Sequence, residues 1–118
     1  MGTVNVRGVL IVGVPYGGSV HKDFCLRPQL VQDSVEVMES EHAERASKND
    51  SFFGVCLLAK QIDKLGDIPR EEITPALVMS LTEVDFQEIH KKKGELEQRL
   101  RSFRGEEKAP SRADPGAA

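Results

Sequence analysis

The chain reads as an α+β protein, an N-terminal β-hairpin followed by three to four helices and a disordered C-terminal tail. Three observations predict this. Val4 to Val14 is dominated by Val, Leu and Ile, which suit a pleated, half-buried strand, and Pro15-Tyr-Gly-Gly-Ser follows with turn chemistry. Apolar residues recur at three- and four-residue steps in two later segments, Phe52 to Ile62 and Phe86 to Phe103. From Gly105 to Ala118 there are two prolines and no apolar side chain bulkier than alanine, so residues 105–118 do not offset their ordering entropy.

Each element has its own signals. Val20 to Leu26 returns as a second strand, with Val20, Phe24 and Leu26 on a partly apolar face, and the hairpin spans about residues 4–26. A lone hairpin is marginal in water, so it must lean on the helices behind it. Pro28 suits the first turn of a helix over about 29–47, with Val31, Val35, Met38 and His42 on one face. Asn49-Asp-Ser is a stop and a new cap. A second helix over 52–65 is the most apolar; Phe52, Val55, Cys56, Ala59 and Ile62 line one side, Phe53, Leu57 and Leu58 widen the stripe, and Gly66 closes it as a C-cap. A connector with two prolines leads to a short helical turn over 76–81. The last helix covers 83–103. Thr82 is its N-cap, accepting from the N–H of Asp85, and Asp85 is expected to return the bond as a short capping box. Gly94 interrupts this helix at a cost of roughly 1 kcal/mol relative to alanine.

A chain of 118 residues makes one domain (residues 1–104 here) with a modest core, and five Phe, one Tyr and no Trp rule out a large aromatic interior. No apolar run approaches the roughly 18 residues of a membrane helix. The N-terminus has neither a signal-peptide layout nor, with Val6 where Ser or Thr is required, a myristoylation signal. The expected location is the cytoplasm. Cys25 and Cys56 lie far apart with no Cys-x-x-Cys or paired His spacing, which points to two small buried thiols rather than a disulfide or zinc site. Charge is unevenly spread. Residues 33–50 carry six carboxylates against two cations, and residues 90–104 six cations against two carboxylates. Complementary helices within one molecule, self-association or a charged partner would each produce this split.

Chemical motifs are weak. Gly13-Val-Pro-Tyr-Gly-Gly-Ser lacks the Lys-Ser/Thr ending of a P-loop and reads as a turn. Ser19, His21 and Asp23 alternate along one strand, but nothing supplies an oxyanion hole or a nucleophile on a strained turn. His21, His42 and His90 are scattered, whereas zinc needs three or four convergent ligands. No cofactor is expected. Lys91-Lys-Lys is a basic cluster on a helix that also bears acids, which reads as a solvated face rather than a nucleic-acid site. The stripe Phe86, Ile89, Leu96, Leu100 and Phe103, joined by Phe52 and Phe53, is the candidate binding surface for another polypeptide. The same spacing also describes a core.

The order of these pieces resembles a known family. Phe24-Cys-Leu-Arg-Pro ends the hairpin, and an acidic helix follows. Leu57-Leu-Ala-Lys-Gln-Ile-Asp-Lys-Leu-Gly comes next, then Ile73-Thr-Pro-Ala-Leu-Val-Met-Ser-Leu-Thr-Glu-Val-Asp-Phe, and Leu96-Glu-Gln-Arg-Leu on the last helix. Over about residues 20–104 this is similar to the tail assembly chaperones of contractile-tailed phages of the Mu-like and P2-like kinds. The resemblance implies a non-enzymatic protein of the host cytoplasm that coats the tape-measure protein while tail-tube protein subunits gather around it. Self-association is compatible with it. The competing readings are a structural tail or adaptor protein retained in the virion and a small nucleic-acid-binding regulator.

Overall fold

The computed structural model describes residues 4–104, and every structural statement below concerns those residues. The architecture is α+β: a three-stranded antiparallel sheet with five α-helices. Strands β1 (Val6–Tyr16) and β2 (Ser19–Leu26) form the expected hairpin, closed by Gly17 and Gly18 at φ 58° and 83°. A tight hairpin turn of this kind favours glycine at both central positions. The pairing runs Val6↔Leu26 to Val9↔Asp23, then Val14↔His21 to Tyr16↔Ser19. Residues 10–13 of β1 therefore bulge out opposite Lys22 alone.

The predicted helix over 29–47 is two helices, α1 (Val31–Met38) and α2 (Ala43–Lys48). Ser40 causes part of the break: its hydroxyl donates to the Val37 carbonyl and accepts the N–H of His42, giving the backbone an alternative to the helix. The roll of α1 also differs from expectation. Val31, Val35 and Met38 face solvent, while Asp33 and Val37 turn inward. The Asp33 carboxylate takes both forks of Arg27 at 2.8 and 3.0 Å and the N–H of Leu30 at 2.8 Å, which sets that roll.

Helix α3 (Asp50–Gln61) is capped by Asn49, which accepts from the N–H of Phe52. It stops four residues earlier than predicted because Ile62–Leu65 becomes β3, an unpredicted strand. There the chain takes up the free edge of β2, with Phe24 opposite Leu65 and Cys25 opposite Lys64. Gly66, at φ 55°, thus closes a strand rather than capping a helix, and a Cβ there would collide with His21. A 3₁₀ turn (Arg70–Glu72) leads to α4 (Pro75–Met79), capped by Thr74. Helix α5 (Glu83–Ser102) follows. The reading of residues 105–118 lies outside the described residues.

Val6, Leu10, Phe24 and Leu26 from the hairpin meet Leu58, Ile62, Leu65, Ile89 and Leu96 in the main core. A smaller cluster gathers Val37, Ala46, Phe52, Cys56 and Leu57 under α1 and α2. Helix α3 contributes to both and is the central element. Helix α5 packs chiefly on β1. The contact is close because Gly8 lacks a Cβ, which would strike the Phe24 ring and the Lys92 stem.

Candidate client-binding surface

The hairpin arm carries an unusual combination: a bulge held rigidly and aliphatic side chains left in water. Thr82 caps α5 as expected, accepting from the Asp85 N–H at 3.2 Å. The return half of the capping box does not form. The Asp85 carboxylate instead leaves the helix and accepts three successive backbone N–H groups of the bulge: Ile11 at 2.7 Å and Val12 at 2.9 Å on Oδ1, Gly13 at 2.8 Å on Oδ2. Three consecutive donors converging on one anion form a backbone nest, and Gly13 at φ 92° supplies the curvature. An aspartate is too short to close the box and reach the nest together, and the nest offers more donors.

Asp85 is wholly buried. Burial pushes its carboxyl up, but the N–H groups of Val12, Gly13 and Ile11 outweigh that, so the net shift is downward and the group is ionised. At the other end of the same helix, Arg99 donates to the Asn5 carbonyl at 3.2 Å. Fourteen helical residues, about 21 Å, match the seven strand residues from Asn5 to Val12, about 23 Å. Helix α5 thus ties down β1 at its start and at the bulge.

Leu10 of the bulge turns into the core, while its neighbours Ile11 and Val12 stay in water. Val9, Ile11, Val12 and Val20 are 57%, 55%, 50% and 59% exposed. Val20 sits over Gly13, where a Cβ would touch it at 2.6 Å, so strand β2 adds to the apolar surface of the bulge.

The residues singled out from sequence fall elsewhere. Ile89 and Leu96 are buried in the main core and Phe52 in the smaller one. Phe86 and Leu100 pack against the first cluster and Phe53 against the second as half-buried residues. The α5 stripe is therefore the seam that joins helix to sheet, and its buried members are out of a partner's reach in the folded chain. Phe103 alone of the set stands clear, at 72% exposed. The hairpin surface was missed because Val9-Leu-Ile-Val reads as a strand centre. Its one available signal was the surplus of apolar residues over what alternation needs.

His21 bonds the Tyr16 carbonyl through Nε2 at 3.0 Å and accepts the Asp67 N–H on Nδ1 at 3.2 Å. Cys56 is buried and its thiol is pushed up by burial, whereas Cys25 is only half-buried, against the expectation for both. Lys92 reaches Glu95 at 3.4 Å, and Lys93 is half-buried. Among the described residues no group of three His, Cys, Asp or Glu is arranged to hold a metal ion, and no helix is long and apolar enough to cross a membrane. Comparison with protein-family models, with curated proteins and with solved structures finds no match for the chain.

Proposed function

We propose that this protein is a non-enzymatic tail assembly chaperone, which holds a long helical tape-measure polypeptide in solution until tail-tube subunits gather around it. It grips that client with the hairpin arm. One observation carries the reading: four aliphatic side chains, Val9, Ile11, Val12 and Val20, are half or more exposed on and beside a bulge that a buried carboxylate locks in place. Exposed apolar area costs solubility, and a fold that fixes it rigidly at the surface has prepared it for contact. The likeness of residues 20–104 to the chaperone family supports the choice of client. An exposed aliphatic surface suits repeated, sequence-tolerant contact with a client that must later be released.

The test is co-expression of the full chain with the long tape-measure polypeptide of the same genome. The wild-type chain keeps the client soluble and co-purifies with it. An Ile11→Lys, Val20→Lys variant changes only exposed side chains, retains its circular dichroism and captures the client about tenfold less well. A client equally soluble with and without the chain refutes the function. A variant that captures as well as wild type refutes the hairpin surface.

A further inference from the structure

A second surface carries its own inference. The acidic segment 33–50 and the basic segment 90–104 do not neutralise each other within the chain. Among the described residues the ion pairs are Arg27–Asp33, His42–Glu41, Lys48–Glu44, Lys60–Glu36 and Lys92–Glu95, and none joins the two segments. The first of the three explanations for the split, complementary helices inside one molecule, thus has no direct ion pair behind it.

Both charged segments also carry or adjoin exposed apolar groups. On α1, Val31 is 83% exposed, Val35 49% and Met38 44%, at the four- and three-residue steps of one helix face, and Leu30 beside them is 53% exposed. Glu39 and Glu41 lie exposed just beyond. At the end of α5, Phe103 is 72% exposed between Arg101 and Arg104, both exposed. A shallow groove lined by Gln29, Gln61, Leu96, Glu97, Leu100 and Arg101 runs between the residues that lead into α1 and the last turns of α5. Gln61 is 2% exposed; its Nε2 donates to the Arg27 carbonyl, while its buried Oε1 has no hydrogen-bond partner among the described residues.

We propose that two copies of the chain pair about a two-fold axis through this surface. The Phe103 end of α5 in each copy sits on the Val31–Val35–Met38 face of the other, with Arg101 and Arg104 against Glu39 and Glu41. A two-fold axis makes each such contact twice, so one surface carrying both an acidic apolar half and a basic apolar half is complementary to itself. The charges set orientation and encounter, and the apolar groups supply the burial. The hairpin arm is outside this contact, so pairing does not depend on the client reading.

Sedimentation equilibrium of the full chain, without client, tests it. The mass rises with concentration from 13.0 kDa to twice that value, with a dissociation constant on the order of micromolar for a contact of modest size. Val35→Asp weakens the dimer about tenfold and leaves the circular dichroism unchanged, since the side chain is exposed. The double reversals Arg101→Glu with Arg104→Glu, and Glu39→Arg with Glu41→Arg, each weaken it about tenfold, and all four changes together restore it. A monomer at every concentration, a closed assembly larger than two, or a dimer indifferent to the reversals overturns the proposal. So does a loss that the fourfold exchange does not restore.

Discussion

Replacing Asp85 with alanine removes the carboxylate that ties the backbone of the hairpin bulge to α5. Three N–H groups then lose their acceptors: those of Ile11, Val12 and Gly13, at 2.7, 2.9 and 2.8 Å. A hydrogen bond to a charged group is worth about 1.5–3 kcal/mol, and an orphaned buried donor costs about 1–3 kcal/mol. Full additivity would overstate the total, because the bulge sits at the surface and water can reach part of it once the carboxylate is gone. Losing an acidic residue from the first turn of α5 adds about 0.3–1 kcal/mol. The expected cost is about 3–5 kcal/mol, close to that of breaking a buried pair. A domain of this size has about 5–15 kcal/mol in total, so this is a large share. Urea unfolding followed by circular dichroism gives the difference, and amide exchange locates it at residues 11–13. Asp85→Asn is a sharper control. Its oxygen can still serve Ile11 and Val12, but its amide would face the Gly13 N–H donor to donor. A loss below about 1 kcal/mol in Asp85→Ala, with residues 11–13 as protected as before, would refute the latch.

Two further outcomes follow from the same structure. Gly94→Ala should stabilise the chain by about 0.5–1 kcal/mol, because the position is helical, exposed and has open space where a Cβ would go; a measured loss in thermal unfolding would mean that α5 needs the glycine. Stability should also fall in acid. The carboxyl of Asp33 is held low by the hydrogen bonds of Arg27, against desolvation by burial, and that of Asp85 by the bulge N–H groups, likewise against burial. Groups lowered in the folded state contribute their full stabilisation above the unfolded carboxyl value near about 3.9. That contribution is lost as pH falls through the folded values, at up to about 2.7 kcal/mol per pH unit where both protonate only on unfolding. Urea midpoints from pH 7 to 3 measure this, and Asp85→Asn should flatten the acid limb; an unchanged midpoint at pH 3 would contradict it.

Local signals were readable where one neighbourhood decides the outcome. The two glycines of the hairpin turn, the Thr82 and Asn49 caps and the apolar run of α3 all follow from residues within a few positions of each other. The signals failed where a distant group outbid a local preference. Ile62–Leu65 continues a helical pattern, but the open edge of β2, some forty residues earlier, takes it as a strand. The face of α1 was assigned from apolar spacing, whereas Arg27 binding Asp33 rolls the helix and leaves Val31 in water. Asp85 satisfies every local rule for a capping box and is diverted by a bulge whose existence no local pattern announces. The α5 stripe was equally consistent with core and with surface, and only the strand behind it decides that Ile89 and Leu96 lie inside.

The latch also has a consequence in time. Its two halves are separated by 72 to 74 positions of sequence, so a ribosome has made almost the whole fold before Asp85 exists to receive the bulge. Until then the N–H groups of Ile11, Val12 and Gly13 lack the acceptor that fixes them. The bulge reaches its finished shape only when the last helix docks and brings that carboxylate to it.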